Sequence, residues 1–136
     1  MTLQEEHGAV HRERVLAADR ETAWAQLADP EALAGWLADE VDLDEVAPGA
    51  EGVLRWDDGA VRLVAVEEVA EGRRVAMRWE DPERLDPDTL VELTLDDHPD
   101  GAVLRVVEMP LVALRAVAVA LGPAATGRSG PVALAA

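Results

Sequence analysis

The chain has 136 residues, 49% hydrophobic and 29% charged, which is the composition of one globular domain and not of a disordered segment. Its 28 carboxylates against 12 arginines give a formal charge of −16, which repels phosphate backbones and anionic lipid heads and so argues against nucleic acid or membrane partners. Cys and Lys are absent and the only serine is Ser129, which excludes disulfides, thiolate chemistry, lysine-dependent phosphate or Schiff-base sites and a serine triad.

Phe, Tyr, Ile and Asn are missing too, a bias that a very GC-rich bacterial genome imposes on its proteins. The first nine residues are acidic with no apolar run behind them and read as an N-terminal tail, not as a leader. Val10 to Ala18 is the first extended segment. Asp19 then offers an N-cap, and Ala23, Trp24 and Leu27 follow at helical spacing over Arg20 to Ala28. Asp29-Pro30 restarts the pattern with a cap and a proline at the first helical position, and Leu33, Trp36 and Leu37 form the apolar stripe of a second short helix.

After Asp39 the period changes from 3.6 to 2. Val41 and Leu43 alternate with acids before a Pro48-Gly49 turn, and Leu54 and Trp56 share one face of the next strand. Asp58-Gly59 signals a hairpin into a strand carrying Val61, Leu63 and Ala65 on one face. Glu71-Gly72 turns into Val75, Met77 and Trp79, and a loop rich in Pro and acid runs from Asp81 to Asp88. Val91, Leu93 and Leu95 alternate with Glu92, Thr94 and Asp96, and Asp100-Gly101 opens a last strand with Leu104 and Val106 opposite Arg105. Parity then turns Glu108 inward as well, where Arg12 or Arg14 on the first strand is its candidate partner.

These elements predict an α+β domain over residues 10–121: a curved antiparallel sheet of about six to seven strands, apolar on one face, with two short helices after strand 1. Two short helices cannot cover so large an apolar face. The cover must come from the stretch after Pro110, from a cavity's occupant, or from a second copy of the chain. Leu111 to Leu121 has the length of a three-turn helix ended by Gly122-Pro123, and its Arg115 and shortness rule out a membrane span. Residues 122–136, rich in Gly, Pro and Ala, read as a flexible tail. The expected setting is the cytoplasm.

Several short strings, in order, resemble the START/SRPBCC superfamily and its branch named for the activator of the ninety-kilodalton heat-shock chaperone's ATPase. They are the helix-pair segment from Arg14 through Trp24 and Asp29-Pro30-Glu31 to Trp36, the Pro48-Gly49 turn, the strand Arg73-Arg74-Val75-Ala76-Met77-Arg78-Trp79, and Gly101 to Glu108. The resemblance implies a helix-grip fold, in which the sheet wraps a C-terminal helix around an apolar pocket. The Ala/Val-rich stretch from Leu111 departs from the amphipathic final helix of that pattern, so the C-terminal helix is shortened or atypical. Relatives of this kind bind lipids, polyketides, plant hormones or antibiotics, and some are cyclases. The implied function is binding of a small apolar or amphipathic molecule. A co-chaperone-like interaction module and a cyclase or aromatase-type enzyme are the alternatives.

Strand parity places Leu54, Trp56, Leu63 and Met77 on the pocket wall, with Trp79, Leu93, Val106 and Glu108 beside them, and the helix pair brings Trp36 to the mouth. No catalytic residue, cofactor or metal is expected. His7 and His11 have i,i+4 spacing, but His11 falls in a strand, where the two rings would not converge on a metal. His98 belongs to a hairpin turn, and the acids from Glu80 to Asp88 lack the spacing of a calcium loop.

Overall fold

The computed structural model describes residues 2–6 and 9–111. Eleven elements follow in chain order: β1 (Thr2–Glu6), β2 (Ala9–Leu16), α1 (Arg20–Ala23), α2 (Ala25–Ala28), α3 (Pro30–Leu33), β3 (Glu40–Asp42), β4 (Glu51–Arg55), β5 (Val61–Ala70), β6 (Arg74–Glu80), β7 (Thr89–His98) and β8 (Gly101–Pro110). All strands join one antiparallel sheet in the order β1-β2-β8-β7-β6-β5-β4-β3. The strands from β3 to β8 are a simple meander. β2 pairs with the last strand, β8, Val10 opposite Glu108 and Arg14 opposite Leu104, so the meander's far end folds back beside the helices' point of departure. Residues 2–6, within the stretch that the sequence suggested was a tail, add the edge strand β1.

The helix pair forms where the caps and the proline place it. Asp19 accepts from the Thr22 amide at 2.7 Å, and Asp29 accepts from the Glu31 amide at 2.9 Å ahead of Pro30. The expected first helix is interrupted at Trp24, which closes α1 and opens α2. These turns cover one end of the sheet's concave face. There Leu27 and Leu33, both 0% exposed, pack in one core with Leu54, Met77, Leu93 and Leu95. Burying each such leucine contributes about 1.5–3 kcal/mol.

The convex face is wet and cross-linked. Arg105 bridges Glu13 on β2 and Asp96 on β7 at 2.9 and 2.7 Å, and Arg74 bridges Glu68 on β5 and Glu92 on β7 at 3.2 and 2.9 Å. Cross-strand pairs of this kind let neighbouring strands carry many carboxylates without repelling one another. At the β7–β8 turn, Gly101 has φ 145°, and a Cβ there would collide with the Leu16 carbonyl, so only glycine lets the hairpin lie against the end of β2.

Residues 112–121 of the expected final helix and residues 122–136 lie outside the described residues. No helix of the described residues is long and apolar enough to cross a membrane.

Candidate ligand-binding site

Beyond the helix-covered end, the concave face opens into a cavity of about 310 Å³, at the lower end of the range for small-molecule pockets. Trp56, at the end of β4, and Trp79 on β6 form one wall, their rings tilted at 59° with centroids 5.7 Å apart. Val91 and Val106 make an apolar floor, and Leu37 closes the side next to the helices. The polar lining consists of Arg12, Asp58, Arg62 and Glu108, with two charges of each sign.

The sheet register explains how these groups meet. On β6 and β7, Trp79 stands directly opposite Thr89. The Thr89 hydroxyl donates to Oε2 of Glu108 at 2.9 Å, and Glu108 stands opposite Val91 on one side and Val10 on the other. A single band from Trp56 through Trp79 and Thr89 to Glu108 therefore crosses the open end of the concave face. At its edge, Arg62 faces inward opposite Leu54 and pairs with Asp81 at 3.3 Å.

The indole donors are not treated alike. Trp36 donates to the Gln26 carbonyl at 3.0 Å and Trp56 to the Leu37 carbonyl at 3.1 Å. Trp79, only 8% exposed, has its Nε1–H shielded from water with no partner among the described residues. An unpaired buried donor costs about 1–3 kcal/mol. It is the one such group the described side chains leave in the interior.

Of the nine pocket residues read from the sequence, the structure brings Trp56, Trp79, Val106 and Glu108 together around the cavity. Leu54, Met77 and Leu93 lie on the same face but are fully packed in the core beneath the helices. Trp36 is half-buried in the turn after α3, where its hydrogen bond to Gln26 holds it, and does not line the cavity. Leu63 must be corrected: it is 39% exposed on the convex face, opposite Val53 and Glu80. The inward set on β5 is Arg62, Val64 and Val66, because Arg62 finds Asp81 at the pocket rim and need not face bulk water. The partner proposed for Glu108 is also corrected. Among the described residues no ion pair joins it to Arg12 or Arg14; its hydrogen bond comes from Thr89.

Sequence reasoning missed Arg62, Asp58 and Ala60 as lining residues, together with Val10, Leu37 and Val91, and took Arg12 only as a partner for Glu108. For Arg62 the available signal was Asp81, the first acid beyond the facing strand. His98 serves its turn by accepting from the Asp100 amide at 3.0 Å. Among the described residues no three His, Asp or Glu side chains form a metal-binding group.

The comparisons with known proteins agree with this architecture. DynU16, a putative protein in the dynemicin biosynthetic locus, superposes with a TM-score of 0.64 at 22% identity, over 76% of this chain and 37% of that one. MLL2253 from Mesorhizobium loti gives 0.63 at 25% identity, over 75% and 76% of the two chains. CalU16 from Micromonospora echinospora gives 0.57 at 21% identity, over 74% and 56%. The chain thus spans just over a third of DynU16 and just over half of CalU16. No curated protein matches it in sequence. The model of the family described as "Activator of Hsp90 ATPase homolog 1-like protein" matches residues 17–126, from the helix pair through the whole meander, and with the helix-grip sheet in place the chain belongs to that family, within the START/SRPBCC superfamily.

Proposed function

We propose that this protein binds a small apolar or amphipathic molecule in the cavity at the open end of the concave face. The observation that carries the reading is the cavity itself: about 310 Å³ walled by a tilted Trp56–Trp79 pair, in a sheet whose other end is filled solid. A core that can close around Leu27 and Leu33 but leaves two indoles lining a space has kept that space open at a cost in packing. Aromatic walls with a few convergent polar groups are what a ligand site needs to hold an amphipathic guest in one orientation. The setting of DynU16, in the dynemicin biosynthetic locus, is in keeping with a small-molecule guest.

The test is a thermal-shift and tryptophan-quenching screen of apolar, ring-containing compounds on the full chain. A ligand at a hundredfold excess over its Kd stabilises by about 2.7 kcal/mol, which for a domain of this size raises the Tm by roughly 8–15 °C. Quenching should accompany the shift, because two of the four tryptophans line the site. A broad screen with neither effect would sink the proposal.

A further inference from the structure

The head group of the guest follows from two arginines, an inference that rests on the binding reading above. In a chain with 28 carboxylates to 12 arginines, an arginine without a partner is the exception. Among the described residues every arginine pairs with a carboxylate except Arg12, Arg14 and Arg73. Arg73 lies in the exposed turn before β6. Arg12 and Arg14 differ from it, because both stand on the concave face. Arg12 is opposite Val106 and Arg14 opposite Leu104, both buried on that face, while Glu13 between them pairs with Arg105 on the convex side. Arg12 lines the cavity, and Arg14 follows it two residues on along the same face.

The acids of this region are engaged elsewhere. Glu108, opposite Val10, is drawn away from β2 toward β7 by the Thr89 hydroxyl. Asp58 accepts from the Ala60 amide in its own hairpin, and Asp81 takes Arg62. Glu5 on β1 stands opposite Val10 and not opposite either arginine. Residues 112–136 contain no Asp or Glu, so that stretch brings no side-chain carboxylate. Two guanidinium groups on neighbouring positions of one face repel each other, and an anion held between them relieves the repulsion. The chain's own charge of −16 sets how much negative charge that anion can carry: a singly charged head meets less repulsion than a phosphate monoester near −2. A cavity of about 310 Å³ filled at interior density takes a guest of about a dozen non-hydrogen atoms. We infer that the guest is an amphipathic monocarboxylate, with its apolar body against Trp56, Val91 and Val106 and its carboxylate across Arg12 and Arg14.

Three probes with one apolar chain decide it: decanoate, 1-decanol and decyl phosphate, their affinities measured by calorimetry on the full chain. Decanoate should bind about tenfold or more tightly than 1-decanol, since only the acid meets the two guanidinium groups. That ratio should fall as salt is raised, because both arginines are exposed. The double variant Arg12→Gln, Arg14→Gln should bring the ratio close to one and leave the affinity for 1-decanol unchanged. Its Tm should match that of the parent chain, as expected for two exposed side chains without partners. Arg73→Gln, which removes the same charge away from the cavity, should leave the ratio as it is. Val106→Phe should abolish decanoate binding by filling the cavity. Equal affinities for acid and alcohol, tighter binding of decyl phosphate, or a ratio that drops in Arg73→Gln or survives the double variant would overturn the inference while leaving ligand binding intact. Decanoate binding that survives Val106→Phe would also overturn it, since the acid would then sit outside the cavity. Failure of all three probes to bind, with the broad screen still giving hits, would overturn the inference alone. Failure of probes and screen together would overturn both.

Discussion

The two ends of the concave face are built from the same few residue types and solve opposite problems. At the helix-covered end, Leu27 and Leu33 reach down between Leu54, Met77, Leu93 and Leu95, and every one of these side chains is fully buried. At the open end, Val91, Val106 and the Trp56–Trp79 pair surround a space. The sheet is continuous beneath both, so the difference lies in what is laid on it. Aliphatic side chains carried by the short helices interdigitate with the strands at one end. At the other, large rigid rings stand apart and leave room. The packed end sets stability and the open end is free to be specific.

The comparison is broken most directly by truncating leucines at the packed end. Leu27→Ala or Leu33→Ala should cost about 2–5 kcal/mol in urea or thermal unfolding, because surrounding residues held by the sheet cannot collapse into the gap. At the open end Val106→Ala should cost only about 1–2 kcal/mol, the transfer of the lost methyls next to an existing space. Similar losses at both sites would mean that the cavity is filled in solution.

Enlargement inverts the same contrast. Val66, 1% exposed, has no room for a ring, so Val66→Phe should destabilise by about 1–3 kcal/mol through overpacking. Val106→Phe can turn its ring into the cavity and should change stability by about 0.5 kcal/mol or less, while abolishing every ligand-induced thermal shift. A Val106→Phe protein that still responds to ligands would place the site elsewhere.

These contrasts show what the amino-acid sequence made legible. The caps Asp19 and Asp29, the Asp-Gly hairpins and the alternation of β4, β6, β7 and β8 are local signals, and the structure uses each of them. The inward turn of Glu108 followed from Arg105 alone, since parity in an unbroken strand needs only one certain residue. β5 failed for the complementary reason. Its alternate positions are both apolar save for Arg62, so assigning that arginine to water turned Leu63 inward, and the bulge between Val66 and Glu68 removed any help from the acids that follow. Trp36 failed because the predicted second helix stops at Leu33, which leaves Trp36 in the following turn with its indole held by the Gln26 carbonyl. The bound of the pocket was equally hidden: which buried apolar residues touch each other and which line a void depends on where three four-residue helices come to rest.

At the boundary between floor and rim, Glu108 and Thr89 sharpen the comparison with a smaller effect. Glu108→Gln keeps an oxygen acceptor for the Thr89 hydroxyl, and Thr89→Val removes the donor but keeps the shape. Each should alter stability by less than about 1 kcal/mol, as expected for one partly exposed hydrogen bond at the strand end. A loss of several kcal/mol from Glu108→Gln would assign the carboxylate to the fold instead of the pocket.

The smallest effect is confined to acid and to the helix end. The Thr22 hydroxyl and amide hold the Asp19 carboxyl below its ordinary value of 3.8. A carboxyl with a lowered pKa in the folded chain contributes fully above the unfolded value, and the contribution is lost as pH falls through the folded one. Asparagine caps a helix about as well as aspartate, so Asp19→Asn should leave the Tm at pH 7 almost unchanged. Below pH 3.8 the variant should lose less stability than the parent chain, because its cap no longer titrates. The helix pair is the only cover on the packed end among the described residues, so acid loosening of this cap should be felt first by Ala23 and Leu27, which pack directly behind it. Hydrogen exchange at low pH should show those amides opening ahead of the β6–β7 amides around Trp79, and Asp19→Asn should delay the opening. Exchange that rises uniformly over both ends would show that the helices and the sheet unfold as one unit, with no separable cover over the packed end.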